Sequence, residues 1–101
     1  MLTNEEKYIF TSELALAISN GLQIDEGLKM LAGFDAGVSR CAKTIVDFMQ
    51  DGTPFSDALT KSKEFDDYMI QMVIVGQNIG NLDVVLKELS VYYERQKKLN
   101  Y

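Results

Sequence analysis

Residues 75–86 read VGQNIGNLDVVL. Before this stretch, Met69, Ile70, Val73 and Ile74 recur at three-four spacing towards Ile79. After it, Leu82, Val85, Leu86, Leu89, Tyr92 and Tyr93 do the same, so two amphipathic helices meet here. Gly80 stands between them, where a residue without a Cβ takes the left-handed C-terminal cap without steric penalty, and Asn81 is placed to cap the second helix. Gly76 is a different case. It lies inside the helical pattern, where glycine costs about 1 kcal/mol relative to alanine, and close approach of a neighbouring helix is the expected compensation.

The same punctuation recurs upstream. The segments NGLQIDEGL and DGTPFSDAL, like IGNLDVVL, each put a glycine before an acidic residue and a leucine, which predicts helix stops at Gly21 and Gly52 as well as Gly80. Working outward gives six helices and no sustained period-2 alternation. The first runs over Asn4–Ser19, with Thr3 and Glu6 spaced as a capping box and Phe10, Leu14, Ala17 and Gly21 on one face. The second covers Ile24–Leu31, with Asp25 and Glu26 in its first turn, and ends near Gly33. The third, Val38–Gln50, carries the stripe Val38, Cys41, Ala42, Ile45, Phe48 and Met49. The fourth spans Pro54–Lys61, with Thr53 as cap and Pro54 at the first helical position. The fifth starts around Asp66, where Asp66 and Asp67 serve capping. The expected fold is all-α, a six-helix bundle of antiparallel helices forming one domain over residues 1–101.

The 101 residues suffice for a single core. With 47% hydrophobic and 25% charged residues the chain is a folded one. A net charge of −5 leaves no basic surface for a phosphate backbone, which excludes nucleic acid as a partner. No apolar run approaches the roughly 18 residues of a membrane span, and MLTNEEKY lacks the basic start of a signal peptide, so the chain as given is expected to be soluble. The absence of histidine removes the commonest general base, the commonest metal ligand and every Ser-His or Cys-His pair. GQNIG lacks the Lys-Ser/Thr of a phosphate loop. The single cysteine, Cys41, falls on an apolar stripe and is expected to be a buried, inert thiol. The methionines Met49, Met69 and Met72 fit core filling. No catalytic residue is assigned, and the chain is not expected to be an enzyme.

Two features point outward. Tyr92 and Tyr93 project about 100° apart, so with one in the core the other sits at its edge. The run Glu94-Arg95-Gln96-Lys97-Lys98 puts cations at a helix C-terminus, either to complement the helix dipole or to mark the cytoplasmic side of a membrane segment.

Together these residues resemble the F domain family of type II secretion and type IV pilus inner-membrane platform proteins. Phe10-Thr11, Leu14-Ala15, Gly21-Leu22 and Glu26 with Leu28 are similar to its opening F-T-x-x-L-A, G-L and E-A-L. Gly52, Ser56-Asp57-Ala58-Leu59 and Phe65 follow, and Gly76, Gly80, Leu82-Asp83, Leu86, Leu89 and Tyr93-Glu94 resemble G-E-x-x-G-x-L-D-x-x-L and the tyrosine-rich helix leading to the membrane. Gln77 stands where the family has Glu, and Gln23 and Gly27 stand for its Pro and Ala.

The resemblance implies a cytoplasmic domain at the bacterial inner membrane, part of a longer polytopic protein. It implies a non-catalytic scaffold that docks the assembly ATPase and inner-membrane assembly proteins and can self-associate as a homodimer. In some relatives acidic residues at a domain contact hold a divalent cation such as calcium. With Gln77 replacing the Glu, no metal and no other cofactor is expected here. A free-standing helical adaptor and a carboxylate-only metal switch are the competing readings. The expected contact residues are Gln77, Asn78, Asp83, Tyr92 and Glu94; Gly21, Gly52, Gly76 and Gly80 are expected to be structural.

Overall fold

The computed structural model describes residues 1–99. It contains six α-helices: α1 Asn4–Ser19, α2 Ile24–Leu31, α3 Ala36–Gln50, α4 Phe55–Ser62, α5 Asp67–Ile79 and α6 Leu82–Leu99. No strand occurs among the described residues. The longest contact runs between α1 and α6, the first and last helices; α6 also packs on α5, while α2, α3 and α4 close the other side. The core is continuous through all six, with Phe10, Leu14, Leu28, Leu31, Ile45, Leu59, Met69, Leu86 and Leu89 fully buried. Phe10 and Phe65 meet with ring centroids 4.9 Å apart.

The three glycine stops share one physical form. Gly21, Gly52 and Gly80 all have positive φ, between 85° and 94°. In each case the next residue's N–H reaches back five positions: Leu22 to the Ala17 carbonyl, Thr53 to that of Phe48 and Asn81 to that of Gly76, at 3.0–3.1 Å. These are Schellman-type closures that satisfy carbonyls the helix would otherwise leave orphaned. Gly21 therefore belongs to the turn and not to a face of α1.

The closures also correct two expected caps. Thr53 closes α3 with its N–H and sits one residue before the cap of α4. Pro54, extended at ψ 155°, becomes the N-cap instead, and the helix begins at Phe55. Asn81 likewise closes α5 with its N–H and opens α6 with its carbonyl, which accepts from Val85 at 3.2 Å. Its side-chain Oδ1 is buried without a hydrogen-bond partner, so it makes no side-chain cap. One residue between two helix axes serves both ends with its backbone, and the side chain is left over. At α3 the helix starts two residues before Val38, at Ala36. The Thr3–Glu6 capping box of α1 is present in both directions, at 2.9 and 3.1 Å, and Asp66 caps α5 by accepting from the Met69 N–H at 3.0 Å.

Gly76 is the contact between α5 and α6. A Cβ built there would lie 2.9 Å from Val85 Cγ2, 3.1 Å from Val85 Cβ and 3.3 Å from the Leu82 Cα. Rotating the valine relieves only the first of these, and the last is backbone. Alanine at this position would gain about 1 kcal/mol in helix propensity, whereas overpacking a close helix contact costs about 1–3 kcal/mol. Gly76→Ala should therefore lower the melting temperature and Gly76→Leu should lower it further, as read by thermal unfolding. A rise in stability for either variant would contradict the close-contact account.

Candidate docking surface

The five expected contact residues fall into two groups at opposite ends of α6. Asp83 and Glu94 are eleven residues apart on that helix, roughly 16 Å of axial rise.

At the α5–α6 turn, Gln77 faces inward across the bundle. Its Oε1 accepts from the Ser56 N–H at 3.2 Å and its Nε2 donates to Ser56 Oγ at 3.1 Å. The first turn of α4 leaves free amides that its own N-cap, Pro54, cannot reach with a side chain. Gln77 supplies that cap from another helix, 21 residues away. Asn78 is exposed beside it, and Asp83 is half-buried in the first turn of α6. Asp83 borders a cleft of about 340 Å³ whose apolar floor includes Ile18, Leu22, Ile24 and Leu82. Gln23 and Ile24 are shared with a second cleft of about 430 Å³ between α2 and α3, lined also by Met49 and Gln50. The two form a neighbouring pair of grooves at this end of the molecule, with amide side chains at the rim.

At the far end of α6, Tyr93 is buried and Tyr92 lies at the edge, its ring tilted by 47° against that of Tyr68 with centroids 4.7 Å apart. The Tyr93 hydroxyl donates to both oxygens of Asp66, at 3.0 and 3.1 Å, and Lys7 Nζ sits 3.0 Å from Asp66 Oδ2. Lys7 is only 4% exposed. Its ammonium also lies 5.4 Å from the Tyr93 ring centroid and 3.4 Å from Met1 Sδ. Three helices, α1, α5 and α6, thus share one polar hub. Burial works against the Asp66 carboxylate, yet the hydrogen bonds from Met69 N–H, Lys7 and Tyr93 outweigh it, and its pKa is held below the ordinary aspartate value. Burial, followed by the charge of Asp66, pushes the Tyr93 hydroxyl up.

One turn further on, Lys97 pairs with Glu5 at 2.8 Å and lies 4.5 Å from the Tyr8 ring centroid. Glu94 neighbours Tyr8, raising its hydroxyl pKa, and pairs loosely with Lys98 at 3.8 Å. Part of the basic run is therefore turned back onto α1, while Arg95 and Lys98 stay exposed. Asn100 and Tyr101 lie outside the described residues. The lysine of this hub, Lys7, carried no periodic or motif signal in the sequence, since its partners are 59 and 86 positions away.

Burial raises the Cys41 thiol pKa to about 12, which leaves it unreactive. No group of three or more His, Cys, Asp or Glu converges among the described residues in a way that could hold a metal ion. No described helix is long and apolar enough to cross a membrane.

Residues 10–101 match the family described as type II secretion system (T2SS), protein F, and the chain belongs to that family. It is 31% identical over 94 residues to a type IV pilus assembly protein PilC of Myxococcus xanthus, covering 90% of this chain and 22% of that protein. It is 28% identical over 93 residues to a type IV pilus assembly protein PilC of Thermus thermophilus, covering 90% of this chain and 23% of that one. The chain thus spans less than a quarter of the length of either relative.

The hub makes a pH prediction with a definite sign. A carboxyl whose pKa is lower in the folded than in the unfolded chain contributes stability that is present above the unfolded value and lost as pH falls through the folded one. The stability difference between the wild-type chain and Asp66→Asn should therefore be largest near neutrality and shrink below about pH 4. Urea unfolding at a series of pH values checks this, and a difference that stays constant down to pH 2 would contradict it.

Proposed function

We propose that this domain is a non-catalytic scaffold of a type II secretion or type IV pilus platform, on the cytoplasmic face of the bacterial inner membrane. In this role it docks the assembly ATPase and inner-membrane assembly proteins and passes their motion to the platform. No bond is made or broken; recognition is by helix surfaces.

The observation that carries this reading is the family match along nearly the whole chain, together with two relatives named for type IV pilus assembly. The chemistry of the chain supports it. There is no histidine anywhere in the sequence, and the one thiol is buried with a raised pKa. The mechanical fit supports it too. The C-terminal half of α6 is fastened to α1 by the Lys97–Glu5 pair and, through Asp66, by Tyr93 and Lys7, so a pull on the end of α6 is carried to the first helix. The groove pair beside Asp83 offers an apolar floor with polar edges, the pattern of a docking site with a buried centre and a wet rim.

Gln77 is unsuited to testing contact, because its removal would uncap α4. Asp83 and Glu94 are the informative positions. Asp83→Lys with Glu94→Lys should reduce capture of the purified assembly ATPase by about tenfold, a 1.4 kcal/mol step, while thermal unfolding confirms an intact fold. Unchanged capture would contradict docking through either end of α6.

A further inference from the structure

Asn20 is the one asparagine of the chain that is followed by glycine. Both residues are exposed, and Asn20 closes α1 through its backbone, whose N–H reaches the Leu16 and Ala17 carbonyls at 3.1 and 3.2 Å. Glycine brings no side chain to shield its own nitrogen, and a Cβ built at Gly21 meets nothing within 4 Å, so this peptide bond stands in open space. The other asparagines are more hindered. Asn4 and Asn78 lie in helices, before Glu5 and Ile79, Asn81 is half-buried before Leu82, and Asn100 precedes a tyrosine.

We propose that Asn20 is a site of spontaneous deamidation, gated by opening of the turn between α1 and α2. The Gly21 backbone nitrogen attacks Cγ of the Asn20 side chain. The N–Cγ bond forms, the Cγ–Nδ2 bond breaks, and Nδ2 leaves as ammonia with the proton given up by the Gly21 nitrogen. Water then opens the cyclic imide on one side or the other, yielding aspartate or isoaspartate at position 20. The closed turn resists the first step. Asn20 has ψ 11°, which turns the Gly21 nitrogen towards the Asn20 nitrogen and away from the side chain. The Gly21 N–H is also held by the Ile18 carbonyl at 3.0 Å, and the Leu22 N–H by that of Ala17 at 3.1 Å. Ring closure therefore waits on breaking these bonds. Asp51 and Gly52 end α3 with the same backbone shape, at ψ 6° and with the Gly52 N–H on Met49 at 3.0 Å. There the group to be attacked is a carboxyl, a poorer electrophile than an amide, so Asp51 serves as an internal reference. Either product at position 20 sets a negative charge at the C-terminus of α1, where the helix dipole opposes it. Isoaspartate also lengthens the backbone by a carbon inside the turn, which the Leu22–Ala17 closure does not accommodate. Leu22, Gln23 and Ile24 follow directly and line the two clefts. Deamidation thus alters one wall of the docking surface; that consequence rests on the scaffold reading, whereas the chemistry does not.

The test incubates the purified chain at mildly alkaline pH, folded and in urea, and needs no ATPase, so its outcome is separate from the docking experiment. Peptide mass spectrometry follows each asparagine, and an isoaspartyl methyltransferase reports isoaspartate. In the folded chain Asn20 should show the mass gain of an amide-to-acid exchange before any other asparagine, while Asp51 yields no isoaspartate over the same period. Unfolding in urea should speed the reaction at least about tenfold. Asn20→Gln, whose longer side chain closes a ring far less readily, should remove the signal and leave thermal unfolding unchanged. The deamidated chain, separated by anion exchange, should lose hydrogen-exchange protection at the Leu22 amide. A folded chain in which Asn20 stays intact, or in which another asparagine reacts first, would overturn the site. Equal rates in the folded and unfolded chains would overturn the gating, and full protection at Leu22 after deamidation would overturn its effect on the turn.

Discussion

The ammonium of Lys7 is almost wholly withdrawn from water, and a buried charge without a partner is among the most destabilising features a small domain can carry. One part of the α1–α6 contact is built to keep it paired. Asp66 supplies the countercharge while also capping α5, and the Tyr93 hydroxyl donates to both of its oxygens. Because the carboxylate is shared, parting α1 from this hub strands the Lys7 ammonium without its countercharge. Asp66 itself is 36% exposed in its side chain, so water reaches the carboxylate, and only the lysine side of the pair is withdrawn from solvent. The hub thus adds a polar link to the long packed contact between the first and last helices, with the Lys97–Glu5 pair one turn further on.

At the opposite end the constraint is steric and not electrostatic. Gly76 lets α6 start hard against α5, and the single glycine turn at Gly80 leaves no slack between them. Gln77, one residue on, is then positioned to reach Ser56 and complete the first turn of α4. Two adjacent residues thus fix α5 against both of its neighbours in the bundle. Between these two ends α6 is a strut held at each extremity, with one face in the core and Val84 and Val91 presented outward.

Much of this was legible in the sequence. The glycine-acid-leucine rhyme announced three helix stops, and all three glycines are left-handed; the apolar stripes of α3, α5 and α6 gave the core; Tyr92 and Tyr93 divided between edge and interior as their angular spacing required. Local chemistry decided those features, so a local reading found them. The cap of α4 was misplaced by one residue, and Asn81 holds the cap position of α6 with its backbone alone, because Thr53 and Asn81 each sit where two helices meet and a motif scan sees only the helix that follows. Val46 and Lys7 entered the core without a signal of their own. The Lys7–Asp66–Tyr93 hub joins residues separated by 27, 59 and 86 positions, and no periodicity reports a polar contact at that range. The role of Gln77 was hidden for the same reason. Its place near the α5–α6 junction suggested a surface contact, whereas the amide is committed within the fold.

The claim on which the account turns is that the Asp66 hub, and not helix propensity, holds the C-terminal half of α6 to the bundle. Native-state hydrogen exchange of the wild-type chain and of Asp66→Asn measures this residue by residue. The account predicts that the substitution strips protection from the amides of α6 around Ser90 to Lys97 and from the first turns of α1 and α5, while the Gly76–Val85 junction keeps its protection. Equal loss along the whole of α6, or none at its C-terminal half, would contradict it.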